Sequence, residues 1–311
     1  MRNSTERMAT VVFLRVIPGM HSRKKFFVGR YWKMVLTETE KQMFFRGFLT
    51  VQEKERGRSM GDWTAYLLVC PMTFLAGIVD AAAGGGGLIS MPAYLMAGLP
   101  AHLAIGTNKV SSCMGTAAAT YRFWRSGFIS WRQTLPCVGF ALIGAWIGAR
   151  MTLLLDERVF RWVMVAILPF TAGYVLKNRN LEQEREPYSA RKTWMLSSLT
   201  AFGVGIYDGF YGPGTGTFLL LLFTGLAHLK LWEAAGATKV INLSTNLAAL
   251  AVFLAHGTVF LPLGIAAGCS SMIGNALGAK WFAQKGGAFA KPLILAVLTL
   301  FFIRVLWEAV I

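Results

Sequence analysis

The chain has 311 residues, of which 55% are hydrophobic and only 15% are charged, and its formal net charge is +16. A soluble globular domain has about 25% charged residues, so this composition favours an integral membrane protein in contact with lipid. The basic balance does not indicate a nucleic-acid partner, because residues 1–59 carry 13 Lys or Arg against 5 Asp or Glu and most other basic residues flank apolar segments. Basic flanking segments are expected on the cytoplasmic side of a membrane.

Residues 1–59 come first and contain no apolar run long enough to cross a bilayer. Two interpretations of this basic extension stay open. It is either a disordered tail on the membrane surface or a start-site artefact, with Met60 as the true initiator.

Apolar segments follow from about residue 63 to residue 307. A helix needs about 20 apolar residues to cross a bilayer core. Val240–Ala279 has 40 residues without Asp, Glu, Lys or Arg, which is enough for two crossings. Since backbone groups in lipid must be satisfied within the segment, the spans are predicted to be helices. Other uncharged runs and candidate spans are Ala81–Asn108 and residues 63–79, 133–149, 159–176, 193–207, 209–229 and 288–307.

The region from about 77 to 306 is a duplicated unit. At a spacing of 128 the matching pairs are Gly77 and Gly205, Asp80 and Asp208, Gly84 and Gly212, and Gly86 and Gly214. At a spacing of 130 they are Gly106 and Gly236, Lys109 and Lys239, Gly144 and Gly274, and Gly148 and Gly278. Paired interruptions in two halves of a membrane protein indicate a transporter's binding site.

We therefore predict an all-α polytopic membrane protein with two homologous repeats, residues 60–176 and 193–311, joined by a polar inter-repeat loop at 177–192. Each repeat has about four transmembrane helices plus a glycine-broken or re-entrant segment, near 88–99 and 217–229. Eight spans would place both termini, the 125–132 turn and the inter-repeat loop on the cytoplasmic side. If the short segments also cross, each repeat has five spans and the repeats are inverted; the sequence leaves both open.

Asp80 and Asp208 stand directly before the glycine-rich break of their repeat. A charged side chain at the centre of a membrane span costs about 3 kcal/mol on translocon scales, so these carboxylates are candidate functional groups. Three roles remain open for them. They could accept a coupling proton, pair with a lysine, or cap a helix end exposed by the break.

The glycine-rich breaks are predicted to interrupt helices at membrane depth. Glycine disfavours a helix, and Pro213 lacks an amide donor. A broken helix exposes amides and the positive end of its dipole, which suits an anion, although tight packing alone is the competing interpretation. The candidate substrate-binding glycines are Gly84, Gly85, Gly86, Gly87, Gly212, Gly214 and Gly216.

Lys109 and Lys239 occupy equivalent positions early in predicted spans, beside Asn108 and Asn242. A lysine there could simply extend to the headgroups. Its duplicated placement among amides and hydroxyls favours a polar cluster that binds a small oxyanion. The four cysteines and four histidines show no metal-ligand spacing, so no metal and no cofactor is predicted.

These motifs resemble the TauE/SafE family of bacterial membrane transporters, particularly its YfcA-like branch. The resemblance covers about residues 63–308 and is carried by both copies of the glycine-rich motif, Gly77–Gly87 and Gly205–Gly216, with Thr107–Val110 and Thr238–Asn246. It implies a multi-pass permease of the bacterial cytoplasmic (inner) membrane that moves sulfur-containing anions such as sulfite or organosulfonates. Residues 1–59 depart from the family pattern.

The sequence thus predicts a secondary transporter for a small anionic substrate, with protons or another ion as the coupling species. A passive anion channel is the alternative. A membrane-embedded enzyme is a weaker one, because neither a nucleophile with a nearby base nor clustered metal ligands are visible.

Overall fold

The computed structural model describes residues 63–154, 186, 188–286 and five positions between 288 and 296. The N-terminal extension 1–59 and the candidate spans at 159–176 and, for the most part, 288–307 lie outside these residues. The described residues form eight helices and no strand, so the predicted all-α class is confirmed. The helices are α1 Trp63–Ala83, α2 Gly87–Met96, α3 Ala101–Arg125, α4 Trp131–Leu154, α5 Ala190–Phe210, α6 Thr215–Gly225, α7 Leu231–Ala255 and α8 Leu261–Lys285.

Four of these helices, α1, α4, α7 and α8, are long and apolar enough to cross a membrane. Helices α3 and α5 have 25 and 21 residues but are more polar. Helices α2 and α6 have only 10 and 11 residues, so at 1.5 Å per residue each reaches about half the thickness of a bilayer core. The uncharged run Val240–Ala279 is divided into α7 and α8, as predicted.

The candidate span at 209–229 is not one helix, which corrects that prediction. Helix α5 ends at Phe210 and α6 begins at Thr215. Between them, Gly212 and Gly214 adopt φ angles of 98° and 85°, in the left-handed region that glycine tolerates. An apolar run shows where a chain can enter lipid, but this backbone conformation ends the helix within the run.

Many large apolar side chains lie on the outside of the long helices. On α4, Leu135 and Ile143 are 58% and 56% exposed, whereas Ala141 and Ala145 are fully buried. This arrangement is the reverse of a soluble core and suits a helix that faces lipid on one side and other helices on the other. Small inward residues let the helices approach one another closely.

Glycines mark the closest of these approaches. On α4, a Cβ added to Gly148 would lie 2.0 Å from the backbone oxygen of Ile206 on α5. On α8, a Cβ added to Gly274 would lie 2.0 Å from the backbone oxygen of Phe74 on α1. These helix pairs therefore pack backbone against backbone, and neither glycine has room for a side chain.

Gly148→Ala is expected to lower the free energy of unfolding in detergent by about 1–3 kcal/mol, because the added methyl group forces α4 and α5 apart. Gly139→Ala is the matched control on the same helix, since nothing lies within 4 Å of its added Cβ. Alanine favours a helix over glycine, so this variant should equal or exceed wild-type stability. Equal denaturant midpoints for the two variants would contradict the packing described here.

Helices α1, α3 and α8 run in the same direction. Their contacts advance together along the chain, so each later residue of one helix meets a later residue of its neighbour. The contacts are Phe74–Gly274 and Ile78–Gly278 between α1 and α8, and Val110–Gly264 and Met114–Gly268 between α3 and α8.

Helices α4, α5 and α7 run in the opposite direction. Contacts between α4 and α5 also advance together, whereas those between α3 and α7 run in opposite orders. The end of α4, at Ala149 and Leu153, packs with the start of α3 and the end of α7 in one apolar cluster. The pairs that define these directions are Gly144–Phe202 and Gly148–Ile206 for α4 and α5, and Gly106–Thr258 and Thr120–Lys239 for α3 and α7.

These directions differ from the eight-span topology expected from the sequence. Because α1 and α3 run the same way, α2 and its flanking turns must return the chain to the end at which α1 began. The start of α1 therefore lies at the opposite end of the molecule from the turn at 126–130, which follows α3. A 10-residue helix is too short to be recognised as a crossing by length, so the sequence pattern underestimates how far this segment carries the chain.

Candidate functional site

Two buried ion pairs connect the first four helices to the last four. Lys109 Nζ on α3 lies 3.1 Å from Asp208 Oδ1 on α5. Lys239 Nζ on α7 lies 3.2 Å from Asp80 Oδ2 on α1. Each lysine therefore pairs with the aspartate of the other half, and neither extends towards the headgroups.

Each lysine also binds the end of a helix. Lys109 donates to the backbone oxygen of Asp208 at 2.7 Å and to Asn246 Oδ1 at 3.0 Å. Lys239 likewise donates to the backbone oxygen of Asp80. Both aspartates lie in the last turn of their helix, where the negative end of the helix dipole favours a cation. Of the three roles open for the aspartates, the geometry supports pairing with a lysine. Neither aspartate caps the start of α2 or α6.

The two pairs differ in how tightly they are enclosed. Asp208 is 2% exposed, and its Oδ1 also accepts a hydrogen bond of 2.7 Å from Thr215 Oγ1. Asp80 is 15% exposed. The residue equivalent to Thr215 in the first half is Gly87, which has no hydroxyl to donate. The Lys109–Asp208 pair is therefore sealed, whereas the Lys239–Asp80 pair is more open.

The glycine-rich breaks touch each other between the two halves. A Cβ on Gly84 would lie 2.1 Å from the carbonyl carbon of Gly216, and Gly84 has a φ of 73°. Thr217 Oγ1 donates to the backbone oxygen of Ala83 at 2.5 Å. The backbone of one break thus rests directly on that of the other, which requires glycine at both positions.

A cavity of about 40 Å³ lies beside these breaks. A water molecule needs about 10–15 Å³ on this measure, so the cavity has room for about three waters or one small ion. Apart from glycines and one alanine its wall is entirely polar, which is unusual between apolar helices. Its lining residues are Thr73, Ala76, Gly77, Asp80, Gly84, Gly86, Gly87, Ser90, Asn108, Lys109, Ser111, Ser112, Thr116, Asp208, Gly212, Thr215, Asn242, Asn246, Ser271 and Asn275.

The starts of α2 and α6 face this cavity. Gly86 and Gly87 line it from the beginning of α2, and Thr215 lines it from the beginning of α6. The first amides of a helix lack intrahelical acceptors and lie at the positive end of the helix dipole. Among the described residues of the lining, Lys109 is the one cation and faces two carboxylates, Asp80 and Asp208, so the helix starts add positive potential to a wall whose side chains carry no net positive charge.

Most of the predicted site residues line the cavity. They are Asp80, Gly84, Gly86, Gly87, Asn108, Lys109, Asp208, Gly212 and Asn242. Gly85, Gly214, Gly216 and Lys239 are not part of the lining. Lys239 contacts the cavity only through Asp80, whereas Gly216 supports Gly84.

Sequence reasoning missed several lining residues because they carry no charge and are not duplicated. They are Thr73, Ser90, Thr116, Thr215, Ser271 and Asn275. Ser271 and Asn275 could have been found, since they lie one helical turn apart within the long uncharged run and share a helix face.

Comparison with known proteins identifies the family of the chain. The family model described as sulfite exporter TauE/SafE matches residues 69–305. A probable membrane transporter protein of Sinorhizobium is 33% identical over 243 residues, covering 78% of this chain and 92% of that protein. One from Haemophilus influenzae is 33% identical over 229 residues, covering 73% and 89%.

The probable membrane transporter protein YfcA of Escherichia coli is 29% identical over 240 residues, covering 76% of this chain and 88% of that protein. No solved structure matches the chain. The family match covers most of the sequence, including both glycine-rich breaks and both ion pairs. The chain is therefore a membrane transporter of the TauE/SafE family.

Proposed function

We propose that the protein is a secondary transporter of small anions, and that the anion binds in the polar cavity between the two halves. The observation that carries this proposal is the cavity itself: it is walled by polar groups and two helix starts, and crossed ion pairs border it. A buried polar space between apolar helices is costly unless it receives a polar ligand. Lys109, Asn108, Asn242 and the glycines of the breaks are the proposed binding groups.

The proposed architecture is a pair of inverted repeats. Helices α1 to α4 correspond in order and length to α5 to α8, and α3 and α7 are 130 residues apart. Corresponding helices run in opposite directions, since α1 and α3 run with α8 while α5 and α7 run with α4. Inverted repeats with broken helices at their interface are a recurring design of secondary transporters.

The crossed ion pairs suggest how the halves respond to each other. Each pair joins a lysine of one half to an aspartate of the other, so relative movement of the halves stretches or breaks both. Alternating access needs such an interface, with two arrangements of similar free energy. Asp80 and Asp208 are the proposed groups for a coupling proton, because protonation of either carboxylate removes the attraction across the interface.

The sulfur-containing substrate class rests on the family's description as sulfite exporters. The size of the cavity supports a small oxyanion of this kind. A multi-pass location in the bacterial inner membrane is proposed from the apolar helices and the transporter relatives. The same relatives favour transport over catalysis.

The test is uptake of sulfite, sulfoacetate and related sulfonates by proteoliposomes that contain the full chain, with and without an imposed proton gradient. We expect saturable uptake, with accumulation against the anion gradient when the proton gradient is present. Uptake that never exceeds equilibrium and does not saturate would indicate a channel. A folded protein that moves no sulfur-containing anion would contradict the proposed substrate class.

A further inference from the structure

Within the described residues, the polar wall of the cavity is only partly repeated on the other side of the interface. Five of its lining residues are replaced by buried apolar residues at the equivalent positions of the other half. Thr73, Ser90, Ser111, Ser271 and Asn275 correspond to Ala201, Phe218, Ile241, Ala141 and Ala145. The cavity, which is lined chiefly from α1, α3 and α8, is therefore asymmetric, and its asymmetric polar residues are the ones that can select a ligand.

Asn275 is the most informative of these residues. It is buried on α8, and its Nδ2 donates to the backbone oxygen of Ser271 at 3.1 Å and to Ser271 Oγ at 3.3 Å. A backbone oxygen can only accept, so this contact fixes which end of the amide is the nitrogen. The side chain is held further by Gly77 and Gly115, since a Cβ on either would lie within 3.1 Å of Nδ2.

The remaining oxygen of this amide has no protein donor. Asn275 Oδ1 is buried without a hydrogen-bond partner among the described residues, and so is Asp208 Oδ2 in the same cavity wall. Buried acceptors are almost always satisfied in native proteins, and leaving them unpaired is costly. Two unpaired acceptors on residues that line one small cavity point to a ligand that brings a donor of its own.

A fully deprotonated oxyanion cannot do this, because all its polar atoms are acceptors. Its oxygens suit the amides at the starts of α2 and α6 and the ammonium of Lys109, but they would repel Asn275 Oδ1 and Asp208 Oδ2. A monoanion that also has an O–H or N–H group satisfies both parts of the wall. Hydrogensulfite, or a small sulfonate with an amino or hydroxyl group, has this chemistry.

We infer that Asn275 is a specificity-determining residue that accepts a hydrogen bond from the transported anion, and that the transported species is a monoanion with a hydrogen-bond donor. This inference rests on the proposed function, because it assigns the chemical form of the anion that the cavity binds. Asp208 Oδ2 provides a second acceptor in the same wall.

The test compares sulfamate with methanesulfonate. Both are small monoanions with an SO₃ group, and they differ in an NH₂ in place of a CH₃. Binding of each is measured by calorimetry on the full chain in nanodiscs at one pH. We expect sulfamate to bind about 10-fold or more tightly than methanesulfonate, since a site that contains unpaired polar groups rejects an analogue without the matching group.

Asn275→Ala introduces alanine, which is the residue at the equivalent position of the other half, Ala145. This variant should bring the two affinities within about 2-fold of each other while methanesulfonate binding is retained. Ser270→Ala is the control, because Ser270 lies on the same helix but does not line the cavity, and this variant should preserve the preference for sulfamate. The wild-type ratio tests the inference even if Asn275→Ala fails to fold.

Equal affinity of the wild-type protein for the two anions would overturn the inference and leave the proposed function intact. An Asn275→Ala protein that is folded and keeps the full preference would also overturn it. If neither anion binds and no sulfur-containing anion is taken up, the proposed substrate class itself fails.

Discussion

Lys109→Met is expected to lower the free energy of unfolding by about 3–5 kcal/mol, because it leaves the buried Asp208 carboxylate without its cation. The methionine fills a similar volume, so the loss reports the charge and not a cavity. Lys109→Met/Asp208→Asn removes both charges and should recover most of this stability. Neither variant should accumulate anions, since the double variant restores packing but not the ammonium that faces the cavity.

Denaturant titration in detergent gives the stabilities, and proteoliposome uptake gives the activity. Lys280→Met is the matched control, because Lys280 lies on α8 but is exposed. It should change stability by no more than about 0.5 kcal/mol and leave uptake at the wild-type rate. A Lys109→Met protein as stable as this control would show that the ion pair contributes little, and normal uptake would remove Lys109 from the mechanism.

Gly84→Ala is expected to lower the free energy of unfolding by about 3–5 kcal/mol and to abolish uptake. Two effects add. The left-handed φ of 73° costs about 1–2 kcal/mol for a residue with a side chain, and the new methyl group would overlap the backbone of Gly216. Separation of the two breaks also displaces the start of α2 from the cavity.

Gly127→Ala isolates the first of these effects. Gly127 has a φ of 76°, but nothing lies within 4 Å of its added Cβ. This control should lose only about 1–2 kcal/mol and keep its uptake. The same unfolding titration and uptake measurement apply to both proteins, and equal losses would mean that contact between the breaks is not required.

Much of the site could be predicted because its charged and glycine residues occur twice. Asp80 and Asp208 precede the breaks, and Lys109 and Lys239 follow them at similar spacings. A charge within an apolar segment needs a partner, so pairing was among the expected roles. The sequence pattern could not say that each lysine pairs with the aspartate of the other half, since that depends on how α3 packs on α5 and α7 on α1.

The site residues that are harder to predict from the sequence are those without a polar residue at the equivalent position of the other half. Ser271 and Asn275 have small uncharged polar side chains in a long apolar run, and similar residues often serve only to pack helices. Their importance follows from the cavity they line and from the unpaired Asn275 Oδ1. The equivalent positions on α4 are Ala141 and Ala145. The difference between the two helices indicates a one-sided polar site only once the two halves are compared in space.

The sequence by itself determined the membrane class, the family, the all-helical class and the positions of the glycine-rich breaks, because these depend on local hydrophobicity and on the backbone preferences of glycine and proline. Tertiary structure decided the directions of the helices, the crossed ion pairs, the contact between Gly84 and Gly216, and the placement of one polar cavity to one side of the interface. These features join residues more than 90 positions apart. They arise from close approach at small residues, which a hydropathy pattern records only as apolar sequence.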